Sequence, residues 1–140
     1  NADWMKQVET LLETRDRGLV FCNLIDLDML YGHRRDVRGF GHALEEFDQA
    51  LPEIKRRMRE GDLLLLTADH GNDPTFRGTD HTLEYIPVLA FSPNMKKGLR
   101  ALGDRESFAD LGATVAEALL GTKSVDGIRS GESFMSEVWK

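Results

Sequence analysis

Three short runs of almost unbroken apolar sequence, Leu19 to Ile25, Leu63 to Ala68 and Ile86 to Phe91, set the tightest limit on what this chain can fold into. Strands that face solvent on one side alternate apolar and polar residues; continuous runs suit strands covered on both faces, as in a parallel sheet. Each run therefore asks for helices above and below it.

Helical spacing surrounds these runs. Trp4 through Leu12 places Trp4, Val8, Leu11 and Leu12 near one face, ahead of a charged Arg15-Asp16-Arg17-Gly18 turn. From Gly41 to Arg59 the residues Leu44, Phe47, Leu51, Ile54 and Met58 step by three and four, with Pro52 predicting a kink or a boundary between two shorter helices. Ser107-Phe108-Ala109-Asp110 resembles a capping box, and Phe108, Leu111, Val115 and Leu119 continue as a stripe that should end at Gly121. Ser133 to Trp139 suggests a last helix, and Ser92 to Asp104 a surface connection. Strands alternating with helices give an α/β fold, a mostly parallel sheet with helices on both faces, in one domain over residues 1–140.

Charge narrows the partners. A formal net charge of −6 argues against nucleic acid, which is bound through clustered Lys and Arg. The basic cluster Lys55-Arg56-Arg57 with Arg59 sits late in a helical pattern and reads as a solvated face. No apolar stretch approaches the roughly 18 residues that span a bilayer, and the N-terminus lacks a signal-peptide layout, so the expectation is a cytoplasmic protein with no membrane partner. The single cysteine, Cys22, lies inside an apolar run and is expected to pack as a small hydrophobe. Asn1-Ala2 is set aside as a candidate expression scar.

The chemistry-bearing residues are concentrated. Asp26-Leu27-Asp28 through His33, and Asp69-His70-Gly71-Asn72-Asp73 through Asp80-His81-Thr82, each begin where an expected strand ends. Ligands of open α/β sheets bind outside the carboxyl ends of strands, so loops leaving neighbouring strands can bring such groups together. Neutral imidazole and carboxylate suit Mn²⁺ or Zn²⁺, and the lack of paired cysteines argues against a thiolate site. Two adjacent cations would stabilise the attacking and leaving oxygens of an in-line displacement, which makes a phosphoester the natural substrate class.

Each residue also has a plainer reading. Asp69 can cap a turn, Asp28 can form one, and His70 or His81 can simply bond backbone in a polar loop. His42, away from both segments, is assigned a solvent or capping role. Asp26 reads as a carboxylate behind the ligands or as a strand end, and Arg77 as a phosphate fork or a partner for a neighbouring carboxylate. Gly71 and Gly78 are expected to supply permissive backbone.

The strings DMLYGHRRDV (Asp28 to Val37) and TADHGNDPTFRGTDHT (Thr67 to Thr82) resemble those of phosphopentomutases, members of the alkaline phosphatase superfamily. Ala-Asp-His-Gly-Asn alone is shared with cofactor-independent phosphoglycerate mutases. The continuation to Thr79-Asp80-His81-Thr82, with Tyr31 to Asp36 upstream, is what points to the pentomutase. The likeness extends through Ser107 to Gly112 and on to Gly131-Glu132-Ser133-Phe134.

That resemblance implies an alkaline-phosphatase-like core, incomplete here. It implies an enzyme with two Mn²⁺ ions that interconverts (deoxy)ribose 1-phosphate and (deoxy)ribose 5-phosphate through a phosphothreonine and a sugar bisphosphate, in nucleoside salvage. Asp28, His33 and His81 would hold one metal, and Asp69 and His70 the other. A further aspartate, the nucleophilic threonine and the substrate-binding cap domain would belong to polypeptide preceding this chain. No catalytic residue is then assigned among the residues present, and Thr67, Thr75, Thr79 and Thr82 are not candidates for the nucleophile. The partners would be a pentose phosphate and the N-terminal half of the same polypeptide, and the isolated chain would be inactive. Two other readings stay open: a metal-dependent phosphatase or phosphodiesterase of the same superfamily, and a non-catalytic metal-binding domain.

Overall fold

The computed structural model describes residues 2–95, 100–122 and 130–139. By internal contacts the chain divides into two compact units, one of Asn1–Arg59 with Leu65–Leu89 and one of Glu60–Leu64 with Ala90–Lys140.

In the first unit, helix α1 (Ala2–Thr14) packs on helix α2 (Val37–Arg57). Met5 on α1 and Ala43 and Ile54 on α2 are buried, while Trp4 and Leu44, both expected on apolar stripes, stay exposed. Arg57 ties the two helices together. Its guanidinium reaches Glu9 at 3.3 Å, Glu53 at 2.6 Å and also Glu13, with only 22% of the side chain exposed. The expected solvated basic face is corrected at this residue, because three carboxylates neutralise the charge where the helices meet.

Helix α2 starts earlier than the apolar stripe suggested. The Asp36 carboxylate accepts the Gly39 amide at 2.9 Å and so caps the first turn. The helix runs through Pro52 without dividing, since a proline removes one internal hydrogen bond and the remaining turns carry the helix. Gly39 also lets the Tyr31 ring lie against the backbone, where a Cβ would sit 2.3 Å from it.

The largest departure from the sequence expectation concerns Leu19 to Ile25, which forms no strand. Leu19 is 61% exposed and Phe21 84%, and Cys22 is exposed rather than packed as a small hydrophobe. A strand needs a neighbouring strand to satisfy its backbone groups, and among the described residues no strand lies beside this run. Trp4, Phe21, Cys22, Asn23 and Ile25 line a surface depression, and the partial desolvation of the Cys22 thiol pushes its pKa up. The segment that follows, Leu27–Gly32, is a short π-helical turn instead of the expected loop.

Strand β1 (Leu64–Thr67) and strand β2 (Val88–Phe91) fall inside the second and third apolar runs and form a two-stranded antiparallel sheet. A mostly parallel sheet is not what the described residues build. Parallel neighbours need a crossover, normally a helix, whereas the polar segment between β1 and β2 contains none and folds back on itself at an antiparallel bridge between Gly71 and Thr82.

In the second unit, helix α3 (Ala109–Leu120) ends as expected at Gly121, whose φ of 69° is the left-handed conformation that closes a helix. Its start is not a reciprocal capping box. The Ser107 hydroxyl accepts the Ala109 amide at 3.1 Å, but Asp110 is buried, pairing with Arg105 at 2.9 Å and accepting the Glu132 amide at 2.8 Å. Thr114 is fully buried; its hydroxyl donates to the Asp110 carbonyl at 2.8 Å and accepts the Phe134 amide at 3.0 Å. This anchors Phe134, 1% exposed, just before the last helix, α4 (Met135–Val138). Residues 96–99 of the expected surface connection lie outside the described residues. Among the described residues no helix is long and apolar enough to cross a membrane.

Two outcomes follow from this packing. Thr114→Val keeps the shape but leaves the Phe134 amide without its acceptor, and should lower the unfolding free energy in urea by about 1–3 kcal/mol. Phe21, Leu83 and Tyr85 are each more than four-fifths exposed. Light scattering should therefore give an apparent mass that rises with concentration, and Phe21→Lys should reduce that rise.

Candidate metal centre

The backbone of Leu27–Gly32 is wound so that the His33 amide donates to the Asp28 carbonyl at 3.0 Å, an i to i+5 bond. A second bond of the same kind joins the Asp36 amide to the Tyr31 carbonyl at 3.0 Å. In an α-helix, with 3.6 residues per turn, side chains five apart diverge by about 140°. The wider turn brings His33 over Asp28 instead, so that His33 Nε2 lies 3.3 Å from Asp28 Oδ1.

The third member arrives from the far end of the loop that follows β1. Thr82 is buried; its amide donates to the Gly71 carbonyl at 3.0 Å and its hydroxyl accepts the Asp73 amide at 2.6 Å and donates to Glu84. These bonds fold the loop so that its two ends lie side by side. His81 Nε2 then sits 3.5 Å from Asp28 Oδ1 and 3.2 Å from His33 Nε2.

The ligand atoms of Asp28, His33 and His81 all lie within 4.8 Å of one another and form a group able to hold a metal ion. A tetrahedral ion with bonds of about 2.0–2.1 Å needs ligand atoms about 3.3 Å apart. The three observed separations, 3.2, 3.3 and 3.5 Å, bracket that value. Hydrogen bonding also prepares the nitrogen on His33. Its Nδ1 faces the Thr79 carbonyl at 2.5 Å, and a carbonyl only accepts, so Nδ1 is the donor and Nε2 is the nitrogen turned to the cluster.

His70 stands beside this group. Its ring stacks on His81 with centroids 3.6 Å apart, its Nδ1 donates to the Gly71 carbonyl at 3.2 Å, and its Nε2 lies 3.6 Å from Asp69 Oδ1 and 4.0 Å from Asp28 Oδ1. Asp69 is at the rim, with its side chain 85% exposed. All five sequence-predicted ligands are thus within one part of the first unit: three converge on a point, and Asp69 and His70 form an adjoining pair. The expectation that two strand-end loops meet is corrected in part. Asp69 follows a strand, whereas Asp28 and His33 stand on and just beyond a π-helical turn.

The remaining candidates separate clearly. His42 is exposed on α2 and pairs with Glu45 at 3.2 Å. Arg77 is exposed in the loop, and Gly78 supplies permissive backbone with a φ of 93°. Thr75 donates to Asp73 Oδ1 at 2.7 Å, which leaves it, like the buried Thr82, engaged in holding the loop.

Two residues not singled out from the sequence surround the cluster. Asn72 Nδ2 donates to Asp28 Oδ1 at 2.6 Å, and Arg35 donates to Asn72 Oδ1 at 2.9 Å. Gly32 permits the first of these contacts, because a Cβ there would lie 2.3 Å from Asn72 Nδ2. Their only sequence signal was membership of the two strings, since an amide and a guanidinium are not metal ligands by type.

The family's model matches residues 1–123, and the chain belongs to the metalloenzyme superfamily. Membership points to metal-dependent catalysis, and the three-ligand group supplies a place suited to a divalent ion.

The Asp73 carboxyl in this loop is held below its ordinary pKa, first by the Thr75 hydroxyl, then by the Thr75 amide, with a smaller pull from Arg35. For a depressed carboxylate the stabilisation is complete above the unfolded-state value and disappears as pH falls through the lower folded value. An NMR titration should therefore show the Thr75 amide moving only below the ordinary aspartate range, and Thr75→Ala should shift the Asp73 transition upward.

Proposed function

We propose that this chain is the metal-holding C-terminal part of a phosphopentomutase core. On this reading the whole enzyme moves phosphate between the 1- and 5-hydroxyls of ribose or deoxyribose through a phosphothreonine. The observation that carries the reading is the convergence of Asp28, His33 and His81, brought within coordinating distance from the same two strings that resemble the pentomutases.

Asp28, His33 and His81 would hold one Mn²⁺, and Asp69 and His70 would give two ligands to a second. Bound divalent cations supply positive charge that draws the phosphate oxygens and stabilises the attacking and leaving oxygens of an in-line transfer. This chain's residues orient that charge. Asp28 gives the anionic oxygen, His33 presents Nε2 because Thr79 fixes its tautomer, and His81 closes the triangle. The nucleophilic threonine and the sugar-binding cap are assigned to a preceding segment of the same polypeptide, so the chain alone is expected to bind metal and to transfer nothing.

Calorimetric titration of the chelator-stripped chain with Mn²⁺ tests the metal assignment. One tight site is expected, lost in both His33→Ala and His81→Ala, and no binding in the parent chain would overturn the three-ligand assignment. The longer polypeptide tests the reaction. Ribose 5-phosphate should yield ribose 1-phosphate, and inorganic phosphate as the main product would instead identify a phosphatase.

A further inference from the structure

Arg35 combines two features that ordinary surface arginines lack. Its backbone is left-handed, with a φ of 55°, the one such non-glycine among the described residues. For a side chain with a Cβ that conformation costs roughly 1 kcal/mol, so surrounding contacts must hold it in place. Its side-chain contacts all lie in the loop that carries His81. Nε donates to the Gly78 carbonyl at 2.5 Å, Nη1 to the Asp73 carbonyl at 2.8 Å and to Asn72 Oδ1 at 2.9 Å, and Nη2 to the Asp80 carbonyl at 2.6 Å.

The bond to Asn72 decides the orientation of an amide. A guanidinium only donates, so the Asn72 atom facing it is the oxygen, and the NH₂ group is turned toward Asp28. Asp28 Oδ1 receives that NH₂ at 2.6 Å and is the same oxygen that lies 3.3 Å from His33 Nε2 and 3.5 Å from His81 Nε2. That one oxygen therefore meets both the Asn72 amide and the two imidazoles of the cluster. The left-handed turn at Arg35, two residues beyond His33, is what swings the guanidinium across to this amide.

We infer that Arg35 and Asn72 are a positioning relay for the metal centre: Arg35 sets the Asn72 carboxamide, and Asn72 sets the coordinating oxygen of Asp28. The inference rests on the three-ligand reading above for its effect on metal, but the relay itself exists in the metal-free chain. Lysine cannot replace the arginine, because an ammonium lacks the planar fork that reaches the amide oxygen and three loop carbonyls together.

The test uses the full chain as Arg35→Lys, Asn72→Leu and the double variant, with far-UV circular dichroism confirming that each is folded. Mn²⁺ alone is titrated by calorimetry. Each single variant should bind about 10–100-fold more weakly. Arg35→Lys should cost much less in the Asn72→Leu background than in the parent, because one residue acts through the other. Unchanged affinity in Asn72→Leu, or additive losses in the double variant, would overturn the relay. The second readout needs no metal. In ¹H–¹⁵N spectra the Asn72 side-chain NH₂ pair should be displaced and protected from exchange in the parent, and should return to free-amide positions in Arg35→Lys. An NH₂ pair unaffected by Arg35→Lys overturns the relay even if the parent binds Mn²⁺. A parent that fails to bind Mn²⁺ while its NH₂ pair responds as expected overturns the metal assignment and leaves the relay standing.

Discussion

The hydrogen bond from the His33 amide to the Asp28 carbonyl, five residues back, is the constraint from which the arrangement of the candidate centre follows. A regular α-helical turn over Leu27–Gly32 would send the Asp28 and His33 side chains to different faces. Widening the turn stacks them, and the chain then emerges at Arg35 in a left-handed conformation and enters α2 under the Asp36 cap. Local winding, helix start and ligand placement are therefore one structural event, and the Arg35 guanidinium carries it across to the loop that follows β1.

That loop is held almost wholly by polar contacts. Thr82 bridges the Asp73 amide and Glu84, Asp73 turns Thr75, and Arg35 gathers carbonyls of Asp73, Gly78 and Asp80. Such a loop gains little from apolar burial, so its shape depends on each hydrogen bond being made. The stacked His70 and His81 rings, and the Thr79 carbonyl that fixes His33, sit inside this frame. The superfamily membership and the ligand geometry bear on the same point, a centre assembled from two segments far apart in sequence.

The second unit uses buried polarity differently. Asp110, Thr114 and Arg105 are paired within one network that seats Phe134 and starts α4. The Arg105 guanidinium lies 5.2 Å from the Phe134 ring centroid, so the cation covers the aromatic face as well as neutralising Asp110. None of its members adjoins the metal ligands in sequence, and their roles here are those of packing and capping.

The sequence by itself determined the ligand types, their confinement to two segments, the strands inside Leu63 to Ala68 and Ile86 to Phe91, and the helices around Leu51 and Leu111. These depend on residue chemistry and on periodicity, which are local. Only the tertiary structure decided that Leu19 to Ile25 joins no sheet among the described residues, because an apolar run becomes a strand only when a neighbouring strand takes up its backbone groups. It also decided that the sheet is antiparallel, that Arg57 is a clamp between helices, and that Arg35 and Asn72 stand behind Asp28. Each of these is a pairing between residues distant along the chain, set by geometry that spacing in one sequence does not contain.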